Sequence, residues 1–424
     1  MREGDFELLA VGPIDGRYHE KTEVLQDHLS EFALIKARVG IEVAWLTHLA
    51  QDEIIEGFGP LEPDTVGALW QLAEEFDLED AHEVKAIEAK ERHDVKSVEY
   101  WLRGKLGEIP EMEDHLELIH IGLTSEDVNN LSYALMLRGV RDGVLIPNYR
   151  EISNKLFDMS VKTAGKQMPA HTHGQDASPT TLGKETRVFR ERIQRRTRQL
   201  GSVDILGKLN GATGNYSALT FAYPDVDWPI VAQSFVESLG VEFNPVTTQI
   251  EPHDWIAELC HRTIEANSVM LDMARDYWHY IHLDYLTQQV NEDETGSSIM
   301  PNKVNPIDLE NAEGNIGTAN ALLSHLAQKL TVSRLQRDLS DSTALRALGE
   351  AFGHTVIAQS TLLRGLGKVH PNPEKMLEEL EGEYAVLTVA VQTVMRKHGI
   401  PNSYDVVKAY SRGKHMSRED YIKL

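Results

Sequence analysis

"TIEANSVMLDMARDYWHYIHLDYLTQQV", Thr263 to Val290, lies within a run from His253 to Thr295 that holds neither glycine nor proline. Ile264, Leu271, Ala274, Trp278, Ile281 and Tyr285 recur in it at helical intervals. The spacing predicts one very long helix, well beyond the usual globular length. A helix that is apolar around much of its circumference cannot be covered by a single bundle. Symmetric self-association is the economical cover.

Working outward, a second run free of glycine and proline spans Thr318 to Leu348, and Tyr149–Ala164 and Lys184–Leu200 read as further helices. Strand-like stretches are scarce, "VEFNPVTTQI" (Val241 to Ile250) being the best. The expected fold class is therefore all-α, built on a central bundle of long helices. We divide the chain into an N-terminal helical domain (1–112), the central long-helix bundle (113–365) and a short C-terminal helical domain (366–424).

The 424 residues are 41% hydrophobic and 25% charged, the balance of an ordinary globular protein, with a formal net charge of -24. That acidity argues against nucleic acid or an anionic membrane as partner, since both need a basic footprint. An anionic small-molecule substrate would need a local cluster of Arg and Lys. Cys260 is the only cysteine, so no intrachain disulfide is possible. "MREGDFELLA" lacks the pattern of a signal peptide, and "YAVLTVAVQTVM" is too short to span a bilayer. The expected location is cytoplasmic.

Several short segments carry unusual polar density. "PIDGRY" (Pro13 to Tyr18) is a turn signal that also exposes Arg17. In "RHDVKSVEYWL" (Arg92 to Leu102), Asp94 fits a plain N-cap. "TSEDVNN" (Thr124 to Asn130) matches a capping box, Thr124 with Asp127, but a helix start does not explain Asn129 beside Asn130. "AHTHGQDASPTTLGKE" (Ala170 to Glu185) holds His171 and His173 ahead of what reads as a Ser-Pro helix start. The H-x-H pair would suit a metal hydrolase only at a strand end, so general acid–base use of a histidine is preferred. In "GSSIMPNKVNP" (Gly296 to Pro306), Asn305 as N-cap and Pro306 at N1 start a helix, with Asp308 and Glu310 in its first turn. Gly296, Ser297, Ser298 and Lys303 are left over, and suggest a mobile loop.

"GSSIMPNKVNP" resembles the signature loop of the fumarase/aspartase superfamily. "PIDGRY", "RHDVKSVEYWL", "TSEDVNN", "THGQ", "LNGATGNY", "TTQIEPHD" and "SRLQRDLSDSTALR" together resemble the adenylosuccinate lyase family in its longer bacterial form, from about residue 12 to about residue 415. The resemblance implies β-elimination of fumarate from adenylosuccinate to leave AMP, and from the succinocarboxamide intermediate SAICAR to leave AICAR. It implies Ser297 as general base, His173 as general acid, no cofactor and no metal. Arg17 and Tyr18 then match AMP-binding positions, and Arg337, Ser342 and Arg346 match phosphate and ribose contacts. Lys303 and Asn305 match contacts to the succinyl carboxylates. Arg92, His93, Asp94, Thr124, Ser125, Gln249, Ser298 and Asn311 carry over as further substrate-binding positions. The superfamily's homotetramer, with sites shared among three subunits, agrees with the uncovered long helix.

One point of geometry is open to a check. On one straight helix Arg337 and Arg346 would lie about half a turn out of phase at ~100° per residue. The Asp- and Ser-rich "DLSDST" between them predicts a break near Asp341, with Ser342 and Arg346 on one face beyond it. The chain departs from the family pattern at Arg92 (usually Asn), Asp176 (usually Pro), Leu219 (an expected His) and Asn302 (commonly His). It also stops earlier than relatives do, so a reduced C-terminal domain is expected. Alternative readings are another fumarate-releasing lyase, such as argininosuccinate lyase, a non-catalytic scaffold, or a metal hydrolase. The four residues Arg17, Tyr18, Arg337 and Arg346 favour a phosphorylated nucleotide.

Overall fold

The computed structural model describes residues 5–51, 53–290, 299–300 and 302–424. Helices dominate among them, and the strands form only short two-stranded pairs, so the fold class is all-α as expected. The chain divides into two compact units. The first is Met1–Pro147, Arg198–Ile264 and Thr318–Val356; the second is Asn148–Thr197, Glu265–Gly317 and Ile357–Leu424. Among the described residues no helix is long and apolar enough to cross a membrane.

In the first unit the helix Glu31–Gln51 is the hub. Leu34, Ile35, Val39, Ile41, Val43, Trp45, Leu46 and Leu49 bury it on nearly every side, as expected of a central helix. It packs against Pro63–Glu74, Asp94–Leu106 and Ser125–Gly139. The Trp45 indole N–H donates to the Ile121 carbonyl at 3.1 Å, satisfying the polar tip of a fully buried ring. The helix also buries two charges, Arg38 and Glu42, and each has a partner, as burial demands. Arg38 pairs with Asp94 at 2.6 Å, and Glu42 lies 2.6 Å from His120 Nδ1.

The capping box at Thr124 forms: the Thr124 amide donates to Asp127 Oδ2 at 2.8 Å. The two asparagines that a helix start left unexplained have structural work. Asn129 accepts from Arg38 at 2.9 Å. Asn130 clasps the backbone of Lys208 from both sides, donating to its carbonyl at 3.0 Å and accepting from its amide at 2.8 Å. Asp127 accepts from the Asn210 and Gly211 amides and pairs with Lys208 Nζ at 2.8 Å, both side chains being wholly buried.

Two long runs end earlier than their composition suggests. The helix Asp254–His282 stops because Asp284 turns left-handed (φ 59°) and the Tyr285 amide reaches back to the Tyr280 carbonyl at 2.9 Å. Tyr285 therefore lies beyond the helix, beside the strand Leu286–Gln288, which pairs antiparallel with Val369–Pro371. The helix Ile307–Leu330 starts one residue after the expected Pro306 and is not continued to Leu348. Residues 331–339 are irregular, and Ser340–Leu345 is a separate short helix. No helix runs through 337–346, but the break precedes Asp341. Asp338 makes it, accepting from the Ser340 amide at 2.8 Å.

The second unit corrects the reading of 170–185. "SPTT" starts no helix; it continues the strand Gln175–Thr181, antiparallel to Gln167–Thr172, and the helix begins only at Leu182. The turn between the strands is Thr172-His173-Gly174-Gln175, with φ of 56° at His173 and 70° at Gly174. Two left-handed residues are what a tight two-residue hairpin requires, and glycine fills one of them. Within the Val241–Ile250 stretch only Glu242–Phe243 is strand, pairing parallel with Leu206–Gly207 in the first unit. The H-x-H pair does stand at a strand end, against the expectation of a nearly strandless neighbourhood.

Replacing Lys208 with methionine would leave Asp127 buried without its cation. We expect Lys208→Met to lower the unfolding free energy by about 3–5 kcal/mol, measured from urea denaturation. A loss below about 1 kcal/mol, the range of exposed pairs, would contradict the role given to the pair.

Candidate functional site

Two groups of side chains gather in the first unit. Arg337 leaves the irregular 331–339 segment and its guanidinium donates to Ser342 Oγ at 3.1 Å. It lies 3.5 Å from Glu126 and 4.0 Å from Asp341. Glu126 follows Ser125 in the first turn of Ser125–Gly139, so Thr124 and Ser125 share this corner. Gln249 joins it through a neighbour of Arg337, its backbone amide donating to Gln336 Oε1 at 3.1 Å. In the second group Arg346, at the end of Ser340–Leu345, pairs with Glu31 and lies 3.8 Å from Asp94, which Arg38 also holds. Asn129, one helical turn from Ser125, ties Arg38 to the same helix.

The remaining expected residues of this unit are looser. Arg92 closes the helix Leu78–Glu91 in a left-handed conformation (φ 56°) and is exposed. His93, not Asp94, is the N-cap of Asp94–Leu106, its Nδ1 accepting from the Lys96 amide at 3.2 Å. Arg17 is exposed in its turn, followed by the half-buried Tyr18, and makes no hydrogen bond or ion pair to either group.

Behind Arg337 lies a buried charge cluster that sequence reasoning missed. His253 Nε2 is 3.6 Å from Asp341 Oδ2, and its Nδ1 is 3.8 Å from Glu251. Glu126, His253 and Asp341 offer ligand atoms within 4.8 Å of one another. The Arg337 guanidinium already occupies the carboxylate side of that triangle, which makes it a poor cradle for a metal cation. Burial pushes the Glu126 carboxyl up to about 7, against the pull of His253 and Arg337. Burial also works against charge on His253, but Asp341, Glu126 and Glu251 outweigh it and raise its pKa. A signal existed: "IEPHD" sets two acids around a histidine, and "TSED" sets two acids at a helix start. Their convergence needs the fold.

In the second unit His173 stands exposed at the apex of the hairpin. Ser297 and Ser298 lie outside the described residues. Lys303 is exposed, and Asn305 is half-buried just ahead of the helix Ile307–Leu330. That helix start is pinned: Asp308 receives Arg364 Nε at 2.8 Å and lies 3.1 Å from Lys368 Nζ. The Val304 carbonyl accepts from Gln288 at 2.9 Å, tying this segment to the Leu286–Gln288 strand. Asn311, one turn in, accepts from Asn315 at 2.9 Å through its carbonyl. A cavity of about 690 Å³ beside the hairpin is lined by His171, Asp176, Glu185, Asp276, His279 and Glu379, among others. Four carboxylates on its wall make it unsuited to a dicarboxylate substrate.

A family model described as "Lyase" matches residues 16–320, and one described as "Adenylosuccinate lyase C-terminal" matches 333–424. The adenylosuccinate lyase of Escherichia coli is 47% identical over 97% of this chain and 90% of its own length. That of Vibrio cholerae is 45% identical, over 97% of this chain and 91% of its own. The chain belongs to the adenylosuccinate lyase family.

Among solved structures, the 3-carboxy-cis,cis-muconate lactonizing enzyme of Pseudomonas putida aligns with a TM-score of 0.74 at 19% identity, covering 92% of this chain and 85% of that one. A fumarate lyase from Mesorhizobium aligns at 0.73 and 17%, with the same coverages. At that identity the likeness speaks for the fold alone. Family membership makes the chain a lyase, and both groups in the first unit fall within the matched segments, Arg337, Ser342 and Arg346 in the C-terminal one.

The shifts at Glu126 and His253 have one sign. Both raised values mean that the folded state holds more protons than the unfolded chain, so this stability is full at low pH and is lost as pH rises. For Glu126 the window runs from its ordinary value of 4.5 to about 7. Glutamine mimics the protonated acid. We expect Glu126→Gln to match wild-type stability near pH ~5 and to exceed it near pH ~8, read from denaturation midpoints at each pH. A constant difference across that range would contradict the assignment.

Proposed function

We propose that the chain releases fumarate from adenylosuccinate to give AMP, and from SAICAR to give AICAR. The observation that carries the reading is the 47% identity to an adenylosuccinate lyase over 97% of the chain. In the proposed reaction a base takes the proton from the carbon beside a succinyl carboxylate, and the carbanion so formed expels the nitrogen. The C–N bond breaks, a C=C bond forms, and an acid protonates the leaving nitrogen.

Ser297 is the proposed base and His173 the proposed acid. A serine is a poor base in water, so the reaction needs Ser297 shielded from solvent. Lys303 and Asn305 would hold the succinyl carboxylates, with Ser298 and Asn311 as further substrate-binding positions, and the amide end of Ile307–Leu330 adds a favourable dipole. His173 stands exposed at the apex of its hairpin, open to a ligand. Arg337 and Ser342, already in contact, would take the phosphate, with Arg346 and the Arg17–Tyr18 turn on the nucleotide. Thr124, Ser125, Gln249, Arg92, His93 and Asp94 complete the binding set. Arg337 lies 4.0 Å from Asp341 and Arg346 pairs with Glu31, contacts that an incoming anion would have to share.

The same proposal includes a cytoplasmic homotetramer whose sites are each built by three subunits. Phe157, Val161 and Val188, exposed on the long helices of the second unit, support an oligomeric cover. The test is a direct assay of fumarate release by the purified protein from each substrate. Ser297→Ala and His173→Ala should each lower kcat at least ~100-fold. A Ser297→Ala enzyme with near-normal turnover would refute the base.

A further inference from the structure

His173 is carried by a hairpin of only two strands, which is marginal on its own. The base of the hairpin is closed by backbone bonds, Leu182 to the Lys166 carbonyl at 2.9 Å and Gly183 to that of Thr163 at 3.1 Å. The apex is held differently. His171 and Asp176 face each other across the strands, flanking the turn, with His171 Nδ1 3.2 Å from Asp176 Oδ1. On its other side, His171 Nε2 is 3.1 Å from the Tyr285 hydroxyl, and the two rings stack at 5.9 Å.

Hydrogen-bond roles fix the direction of this chain. The Tyr285 hydroxyl donates to Glu379, a carboxylate that can only accept and that Lys375 also holds at 3.3 Å. The hydroxyl has one proton, so toward His171 it is the acceptor and Nε2–H is the donor. Asp176 is an acceptor as well, so both ring nitrogens of His171 meet acceptors. Tyr285 is a rigid anchor: it is wholly buried and sits at the Leu286–Gln288 and Val369–Pro371 strand pair. Glu379 stands on the helix Pro373–Gly382, which packs on the Gln167–Thr172 strand.

We propose that His171, tied between Asp176 and Tyr285, is a positioning residue that fixes the hairpin apex so that His173 delivers its proton to the leaving nitrogen. The proposal rests on the reading of His173 as general acid. It assigns no contact with substrate to His171 itself. Misplacing a reacting group by about an ångström costs up to ~100-fold in rate, and such a loss falls on turnover more than on ground-state binding.

The experiment measures kcat and KM for fumarate release, and AMP affinity by calorimetry, in His171→Leu, His171→Arg, Asp176→Asn and His173→Ala. We expect His171→Leu to lower kcat about 10- to 100-fold, with KM and AMP affinity within about twofold of wild type. Arginine keeps two donors on one side chain and should restore most of the rate. Asp176 is half exposed, so Asp176→Asn leaves folding intact and still tests the network if His171→Leu fails to fold; it should lower kcat alone. Wild-type kcat in His171→Leu or in Asp176→Asn overturns the proposal, as does a loss of AMP affinity equal to the loss of kcat. If His173→Ala itself turns over normally, the general-acid reading is what fails.

Discussion

A carboxylate with no exposed surface must find all its partners inside the protein, and Asp127 does. It takes the Thr124 amide, the Asn210 and Gly211 amides and the Lys208 ammonium, while Asn130 clasps the Lys208 backbone. This knot ties the start of Ser125–Gly139 to the 208–211 segment in the first unit. An isolated buried charge would cost several kcal/mol, so the segment has few alternative positions. Thr124, Ser125 and Glu126 are set in place by the same constraint.

The site groups of that unit are extensions of the knot. Glu126, next to Asp127, meets Arg337, which reaches Ser342. Asn129, two residues on, meets Arg38, which holds Asp94 beside Arg346. One short stretch thus organises Arg337 and Arg346, which sequence places more than two hundred residues away. His253 lies between Glu251 and Asp341 in a dry corner, and Asp341, Glu126 and Glu251 together raise its pKa. Local cations of the kind an acidic chain requires are present, and Arg38, Arg337 and Arg346 are each poised on a carboxylate.

Much of this was legible in the sequence for definite reasons. Helical periodicity and the lack of glycine and proline located Asp254–His282 and Leu182–Gly201, because those patterns reflect burial directly. Capping chemistry located Thr124 and the start near Pro306. The ends of the helices were less legible. Tyr285 fits a helical face by spacing, but a left-handed Asp284 and strand pairing to residues 369–371 take it elsewhere. The hairpin around His173 was hidden because "SPTT" reads equally as a helix start, and only the His-Gly pair at the turn betrays it. Arg38, Lys208 and His253 were invisible as site-shaping residues, since their partners are remote in sequence. Ser297 rests on resemblance.

We propose that the Glu126–Arg337–Ser342 corner of the first unit would receive the nucleotide phosphate. Calorimetric titration of the intact protein with AMP, wild type against Arg337→Ala, tests it without involving turnover. Loss of a charge-assisted phosphate contact is worth about 1.5–3 kcal/mol, so AMP should bind about 10- to 100-fold more weakly to the variant. Equal AMP affinity in the two folded proteins would contradict the claim.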